Sequence, residues 1–371
     1  MTDGWRIISS DSHVVEHCDL WQERVAKQYK DRAPRLVREA DTDRLVCEEI
    51  AMPPIGFMAG AYRSNKDVKR EGRWETDVPS AGYDPDARLK EIDKDGVYGE
   101  VLYPTLGLIF FTLDDLDFKW ALFRAYNDWI AEFCAAHPNR YKGIALIAHD
   151  DVELATQEIR RVHKLGLSGF MLATVQGEAY QPYSSKIYYP MWQAAVECNM
   201  PAHFHSATSR DKRNSFNNAK GRDPIWSLLR NDRIQRPLLG MLMGGTFDAF
   251  PDLIFVSAEN EVSWAPLMLE SADFEFHRHR GIEYQGFDAR SDHPPSYYWE
   301  RNVKAAFMRD HVVARFHDMI GTETLMFQTD FPHSVSTFPN TQAFVQKLLA
   351  GVDPVARDKM LYQNAATLYG F

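Results

Sequence analysis

Short runs of Val, Ile, Leu and Phe alternate along this chain with longer segments in which apolar residues return every three to four positions. The first pattern predicts strands buried on both faces, and the second predicts helices with one apolar stripe. Residues 5–15 read as the first strand, and GEVLYPTLG, KGIALIA, GFMLAT, PAHFHSA, LIFVSAE and LMFQTD read as six more. One further strand, seventh in order, falls within 301–307. Helices are predicted over 84–95, 116–137, 152–165, 189–199, 235–249, 263–280, 341–349 and 354–362. Local chemistry marks some of their ends. Asp84 is placed to cap a helix whose first position is Pro85 and whose stop is Gly96, and Pro138 closes the long helix that precedes it.

That rhythm amounts to eight β/α units within 371 residues and no linker between them. It predicts an α/β fold in one domain over 1–371, a (β/α)8 TIM barrel. Two polar, aperiodic stretches, near 17–81 and 208–232, read as insertions after strands one and five. The segment DHPPSYYWER, 292–301, reads as a packed loop.

Composition narrows the partners. The net charge of −10 argues against nucleic acid or an anionic membrane surface, which would repel it. No apolar run approaches the ~20 residues of a membrane helix, and the first six residues do not open a signal peptide. Cys18, Cys47, Cys134 and Cys198 are too scattered for a disulfide framework or a cysteine zinc site. The expectation is a soluble, cytoplasmic protein with reduced thiols.

Catalytic groups of such a barrel project from the C-terminal ends of its strands. The predicted ends carry Asp11 and His13, His203 and His205, Glu259 and Glu261, and Asp330 and His333. Residues two apart on a strand point to one face, so Asp11 enters the barrel with His13, and His203 with His205. Imidazoles and carboxylates converging from separate strands suit a divalent Zn, Mn or Fe ion, which would activate a bound water. Each motif alone is weak. Their conjunction on the right strands carries the reading.

IISSDSH, PAHFHSAT, FPDLIFVSAENEVSWAP, LMFQTDFPHS and NAATLYGF together resemble the amidohydrolase superfamily, in the branch related to aminocarboxymuconate-semialdehyde decarboxylase. The resemblance spans nearly the whole chain. It implies a metal held by Asp11, His13, His205 and Asp330, with His205 chosen over His203 because it lies four residues after Pro201. It also implies a homo-oligomer, a dimer being common in the family. One departure stands out. Where the decarboxylases carry a strand-six His in a Gly-His-x-Gly turn, this chain reads Ala258-Glu259-Asn260-Glu261.

Three functions follow. The first is a metal-dependent hydrolase or carbon–carbon lyase of the decarboxylase kind, acting on a small, anionic, carboxylated aromatic or cyclic substrate. Asp330, Glu259 and His333 would be its catalytic groups, with Glu259 as base or additional ligand. The second is a non-haem oxygenase with one or two irons, prompted by Glu259. The third is a barrel that binds a ligand without turning it over. Arg210, Lys212, Arg213, Lys220 and Arg222 after strand five would suit an anionic substrate or a phosphate-bearing carrier. Tyr103, Phe110, Phe111 and Trp264 would suit an aromatic one.

Overall fold

The computed structural model describes residues 4–48, 50, 52–63, 67, 69–210, 231–279 and 290–371. Eight parallel strands run in chain order around one sheet. They are β1 (Ile8–His13), β2 (Gly99–Tyr103), β3 (Tyr141–Leu146), β4 (Gly169–Leu172), β5 (Ala202–His205), β6 (Phe255–Ala258), β7 (Val303–Phe307) and β8 (Leu325–Phe327). Nearly every strand residue is buried, as expected of strands with a packed interior on one side and helices on the other. The ring is nearly closed between β8 and β1. There Asp330 N donates to Asp11 O at 2.9 Å, Ser10 Oγ to Phe327 O at 3.0 Å and Thr329 N to Ser9 Oγ at 2.8 Å. The expected (β/α)8 barrel is therefore present, with all eight strands where the pattern put them.

The helix ends follow their chemistry. Asp84 accepts from the amides of Asp86 and Ala87, the helix runs Pro85–Asp95, and Gly96 ends it at φ 73°. The helix expected over 235–249 is two helices, Asn231–Met243 and Thr246–Ala249, because Gly245 turns left-handed at φ 76°. The stretch 292–301 corrects the sequence reading, since it holds a helix, Pro295–Asn302, rather than a loop. Prolines at its first turn do not break it, because those amides need no intrahelical partner. Burial of Tyr298 and Trp299, with Trp299 Nε1 donating to Ile320 O at 2.7 Å, fixes it against the barrel.

The stretch after β1 is less irregular than expected. It forms a short helix, Leu20–Arg24, and an antiparallel ribbon of Arg35–Arg38 with Asp43–Val46. Part of it lies over the end of β8: a Cβ on Gly60 would sit 2.5 Å from Ser334 Cβ, and Tyr62 packs on Phe331 and Phe338 with ring centroids 5.7 and 5.1 Å away. Most of the 208–232 stretch, including Lys212, Arg213, Lys220 and Arg222, lies outside the described residues. Among the described residues no helix is long and apolar enough to cross a membrane.

Candidate active site

Asp11, His13, His205 and Asp330 come together at the C-terminal mouth of the barrel, each no more than 1% exposed. His13 Nε2 is 3.4 Å from both Asp11 Oδ1 and Asp330 Oδ1, and 3.2 Å from His205 Nε2. His205 Nε2 is 3.7 Å from Asp11 Oδ2. Asp11, His13 and His205 bring one donor atom each within 4.8 Å of one another, and so do His13, Asp330 and His333.

The donor chemistry fits a cation. Both oxygens of Asp11 and Oδ2 of Asp330 are buried and accept no hydrogen bond from a described residue. A buried carboxylate without donors is costly, and a divalent ion is the group that relieves it. Burial raises the Asp11 pKa well above its ordinary value against the pull of His205, and Asp330 and Glu259 push it the same way. Burial holds His13 and His205 at about 4, so both imidazoles are neutral at pH 7. Pro104 O can only accept, so the 2.7 Å contact to His13 Nδ1 puts that ring's proton there and turns a lone pair at Nε2 into the site. His205 is set the other way. The Ala207 amide points at its Nδ1 from 3.3 Å, so ligation through Nε2 would require that contact to give way and the ring proton to sit on Nδ1.

His333 lies beside this cluster, its ring 4.1 Å from that of His13. Nδ1 meets Asp330 Oδ1 at 2.9 Å and Nε2 meets Thr105 Oγ1 at 3.0 Å. Thr105 spends its own proton on Val14 O at 2.6 Å, so both ring nitrogens of His333 act as donors. Burial opposes the resulting charge, but Asp330 and Glu259 outweigh it and the His333 pKa is raised.

Glu259 also faces the cluster. Its carboxylate accepts from Ser206 Oγ and lies 3.6 Å from His205 Nε2, and its amide donates to Gln328 Oε1 at 3.1 Å. Glu259 and Asp330 both hold left-handed backbone, at φ 56° and 55°. Such non-glycine strain costs on the order of 1–3 kcal/mol and gathers at functional positions. Glu261, also left-handed, does something different. It accepts from the amides of Met308 and Arg309 and holds the loop after β7.

Several other candidates sit elsewhere. His203 points into the layer below, its Nδ1 2.5 Å from Tyr103 Oη. His149 is buried against the rings of Tyr180 and Tyr183, and Phe110 and Phe111 are core residues. Arg210 is engaged by its own chain, at 2.8 Å to Asp150 and 2.9 Å to Asp114. Two supporting residues escaped the sequence reading. Arg88, wholly buried, pairs with both oxygens of Glu100 and donates to the carbonyls of His13 (2.8 Å), Ala81 and Phe331 (both 3.3 Å). Glu16, also buried, gathers the amides of Thr105, Leu106 and Gly107. Neither stands in a motif, and no signal in the sequence distinguishes them from surface charges.

The family model for amidohydrolases matches residues 17–371. The chain is 26% identical over 268 residues to gamma-resorcylate decarboxylase of Rhodococcus jostii (strain RHA1), covering 66% of this chain and 75% of that one. Its fold matches an amidohydrolase from Mycobacterium avium subsp. paratuberculosis K-10 with a TM-score of 0.78 at 20% identity, over all of both chains. It also matches a dihydroxybenzoic acid decarboxylase from Polaromonas sp. JS666, which holds manganese and the inhibitor 2-nitroresorcinol. That likeness has a TM-score of 0.67 at 18% identity and covers 98% of this chain and 97% of that one.

Proposed function

This chain belongs to the amidohydrolase family, and from that premise we propose that it is a metal-dependent carbon–carbon lyase that releases CO2 from a small carboxylated aromatic or cyclic acid. The observation that carries the reading is the buried carboxylate of Asp11, which accepts from no described residue, with the unpartnered Oδ2 of Asp330 and two neutral imidazoles beside it. Similarity to gamma-resorcylate and dihydroxybenzoic acid decarboxylases supports the substrate class.

Asp11, His13, His205 and Asp330 would hold the ion. Manganese, zinc or iron there would supply Lewis acidity toward a substrate carboxylate and its neighbouring oxygen. The chain's own task is then the proton. When the bond to the carboxyl carbon breaks, CO2 leaves and its electron pair stays on the ring carbon, which must be protonated. Glu259 and the Asp330–His333 pair face the site and can carry that proton. Ser206 orients the Glu259 carboxylate, and Thr105 orients His333.

Glu259 also supports a second reading. A further carboxylate 3.6 Å from His205 extends the ligand set toward two irons and O2 chemistry. The partner we infer, besides the small anion, is a second copy of this chain, because Leu267, Phe274 and Met319 are 73, 63 and 66% exposed on its outer helices. Light scattering on the purified protein checks that. Four free thiols, three of them buried, support a reducing, cytoplasmic setting.

The deciding experiment screens hydroxylated benzoates with manganese-loaded protein under anaerobic conditions, following CO2 release and loss of ultraviolet absorbance. Turnover abolished by His205→Ala is the expected result. Turnover only with iron and O2 would replace the lyase by an oxygenase. Hydrolysis of an ester or amide without CO2 release would replace it by a hydrolase. Tight ligand binding with no turnover under any condition would leave a non-catalytic barrel.

A further inference from the structure

Between Glu16 and the metal-ligand cluster runs a short, continuous set of contacts. The Glu16 carboxylate is fully buried and accepts three amide protons: Thr105 N at 3.2 Å and Leu106 N at 2.9 Å on Oε2, and Gly107 N at 2.9 Å on Oε1. Those amides open the turn that follows β2. Gly107 lets the carboxylate approach: a Cβ there would lie 2.7 Å from Leu146 Cδ1, 2.9 Å from Pro104 Cβ and 3.3 Å from Glu16 Oε1. The same turn offers two groups to the site. Pro104 O fixes the His13 ring at 2.7 Å, and Thr105 Oγ1 holds His333 Nε2 at 3.0 Å.

Consecutive backbone amides bound to one carboxylate have little freedom to rotate. The carbonyl just before them and the side chain among them are fixed with them. We propose that Glu16 is a positioning residue for the metal centre, acting through the 104–107 turn to set the orientation of His13 and His333. The inference rests on the metal-centred reading above, but it concerns how the ligands are aimed rather than what the enzyme acts on.

The buried location has a chemical consequence. Among the described residues, the Glu16 carboxylate hydrogen-bonds the amides of Thr105, Leu106 and Gly107 rather than any of the four proposed ligands. Its loss should therefore weaken metal binding without removing a ligand. Partners that orient ligating histidines typically contribute about 10–100-fold to metal affinity. Glu16→Gln keeps the shape but turns an amide N–H2 toward backbone N–H donors, so at least one of the three bonds is lost.

The test measures manganese Kd by competition with a fluorescent chelator, on full-length wild type, Glu16→Gln and a control, Asp95→Asn. Asp95 is likewise buried and likewise accepts from a backbone amide and a hydroxyl, both of Thr341, but it lies ahead of β2 at the far end of the barrel. Both variants should lose thermal stability. The expected result is a manganese Kd raised about 10-fold in Glu16→Gln and unchanged in Asp95→Asn. A wild-type Kd in Glu16→Gln, or equal weakening in both variants, overturns the proposal. Should Glu16→Gln fail to fold, Glu16→Asp decides. It keeps the charge but withdraws the carboxylate by one methylene from the three amides, and an unchanged Kd there overturns the proposal equally. Wild-type protein that binds no manganese, zinc or iron would instead bring down the metal-centred reading itself.

Discussion

Replacing Asp11 by Asn separates the cost of the buried carboxylate from its use. Asp11 is fully buried, and neither of its oxygens accepts a hydrogen bond from a described residue. Removing its charge should leave the metal-free fold as stable as before or more so. With metal the order reverses. Manganese at about 100 times its Kd should stabilise the wild type by about 2.7 kcal/mol. At about 2.1 cal/mol/K per residue, a chain of 371 residues has an unfolding entropy of about 0.8 kcal/mol/K, so the melting temperature should rise by roughly 3–4 °C. If Asp11→Asn weakens binding about 100-fold, the same manganese concentration leaves about 0.4 kcal/mol and a rise of roughly half a degree. Calorimetry on chelator-treated protein, with and without manganese, measures both arms. The pH dependence has a definite sign as well. Burial raises the Asp11 pKa above the 3.8 of the unfolded chain, so its penalty is absent below 3.8 and grows as pH rises through the folded value. The variant's metal-free advantage should therefore shrink on acidification. An Asp11→Asn protein that melts lower without metal, yet gains the full 3–4 °C with it, would refute the reasoning.

Arg88→Met breaks a fully buried ion pair and frees three carbonyls, so it should cost about 3–5 kcal/mol in urea unfolding; pairing it with Glu100→Leu should recover part of the loss. Glu259→Gln should slow CO2 release by about 10²–10⁴-fold at unchanged manganese Kd, and a Kd that rises with it would make Glu259 a ligand rather than a proton carrier. Burial depresses the pKa of His13 and His205 from 6.5 to about 4 and of His203 to about 3. Below pH 6.5 and above the folded values each is neutral in the fold while protonated in the unfolded chain, so their contribution is complete above pH 6.5 and is lost as pH falls toward 4. Urea midpoints of His203→Phe against wild type across that window should show the variant losing less on acidification.

The barrel was legible because its strands are buried on both faces and their ends carry recognisable punctuation. Asp84, Pro85 and Gly96 bracket their helix as their chemistry dictates. The helix over Pro295–Asn302 was not legible, since two prolines and two tyrosines look like a loop until Trp299 finds Ile320 across the fold. The same limit applies to the site. Asp11, His13, His205 and Asp330 could be read because strand position aims them at the barrel mouth and the family resemblance picks His205 over His203. Glu16 and Arg88 could not, because what they do for the site depends on the carbonyls of His13 and Phe331 and the amides of Thr105, Leu106 and Gly107, 75 or more positions away in the chain.

The seam between β1 and β8 bears on how the protein is made. Ser9 and Thr329, hydrogen-bonded at 3.0 Å, are 320 positions apart, and Asp11 meets Asp330 across the same junction. At about 5–20 residues per second, Asp330 is synthesised roughly 15–60 s after His13. Throughout that interval Asp330 is missing from the prospective ligand set, and His205 is missing for more than half of it. An ion therefore cannot template early folding, as it does in small zinc modules. A complete four-residue site would form only once the barrel closes at this seam.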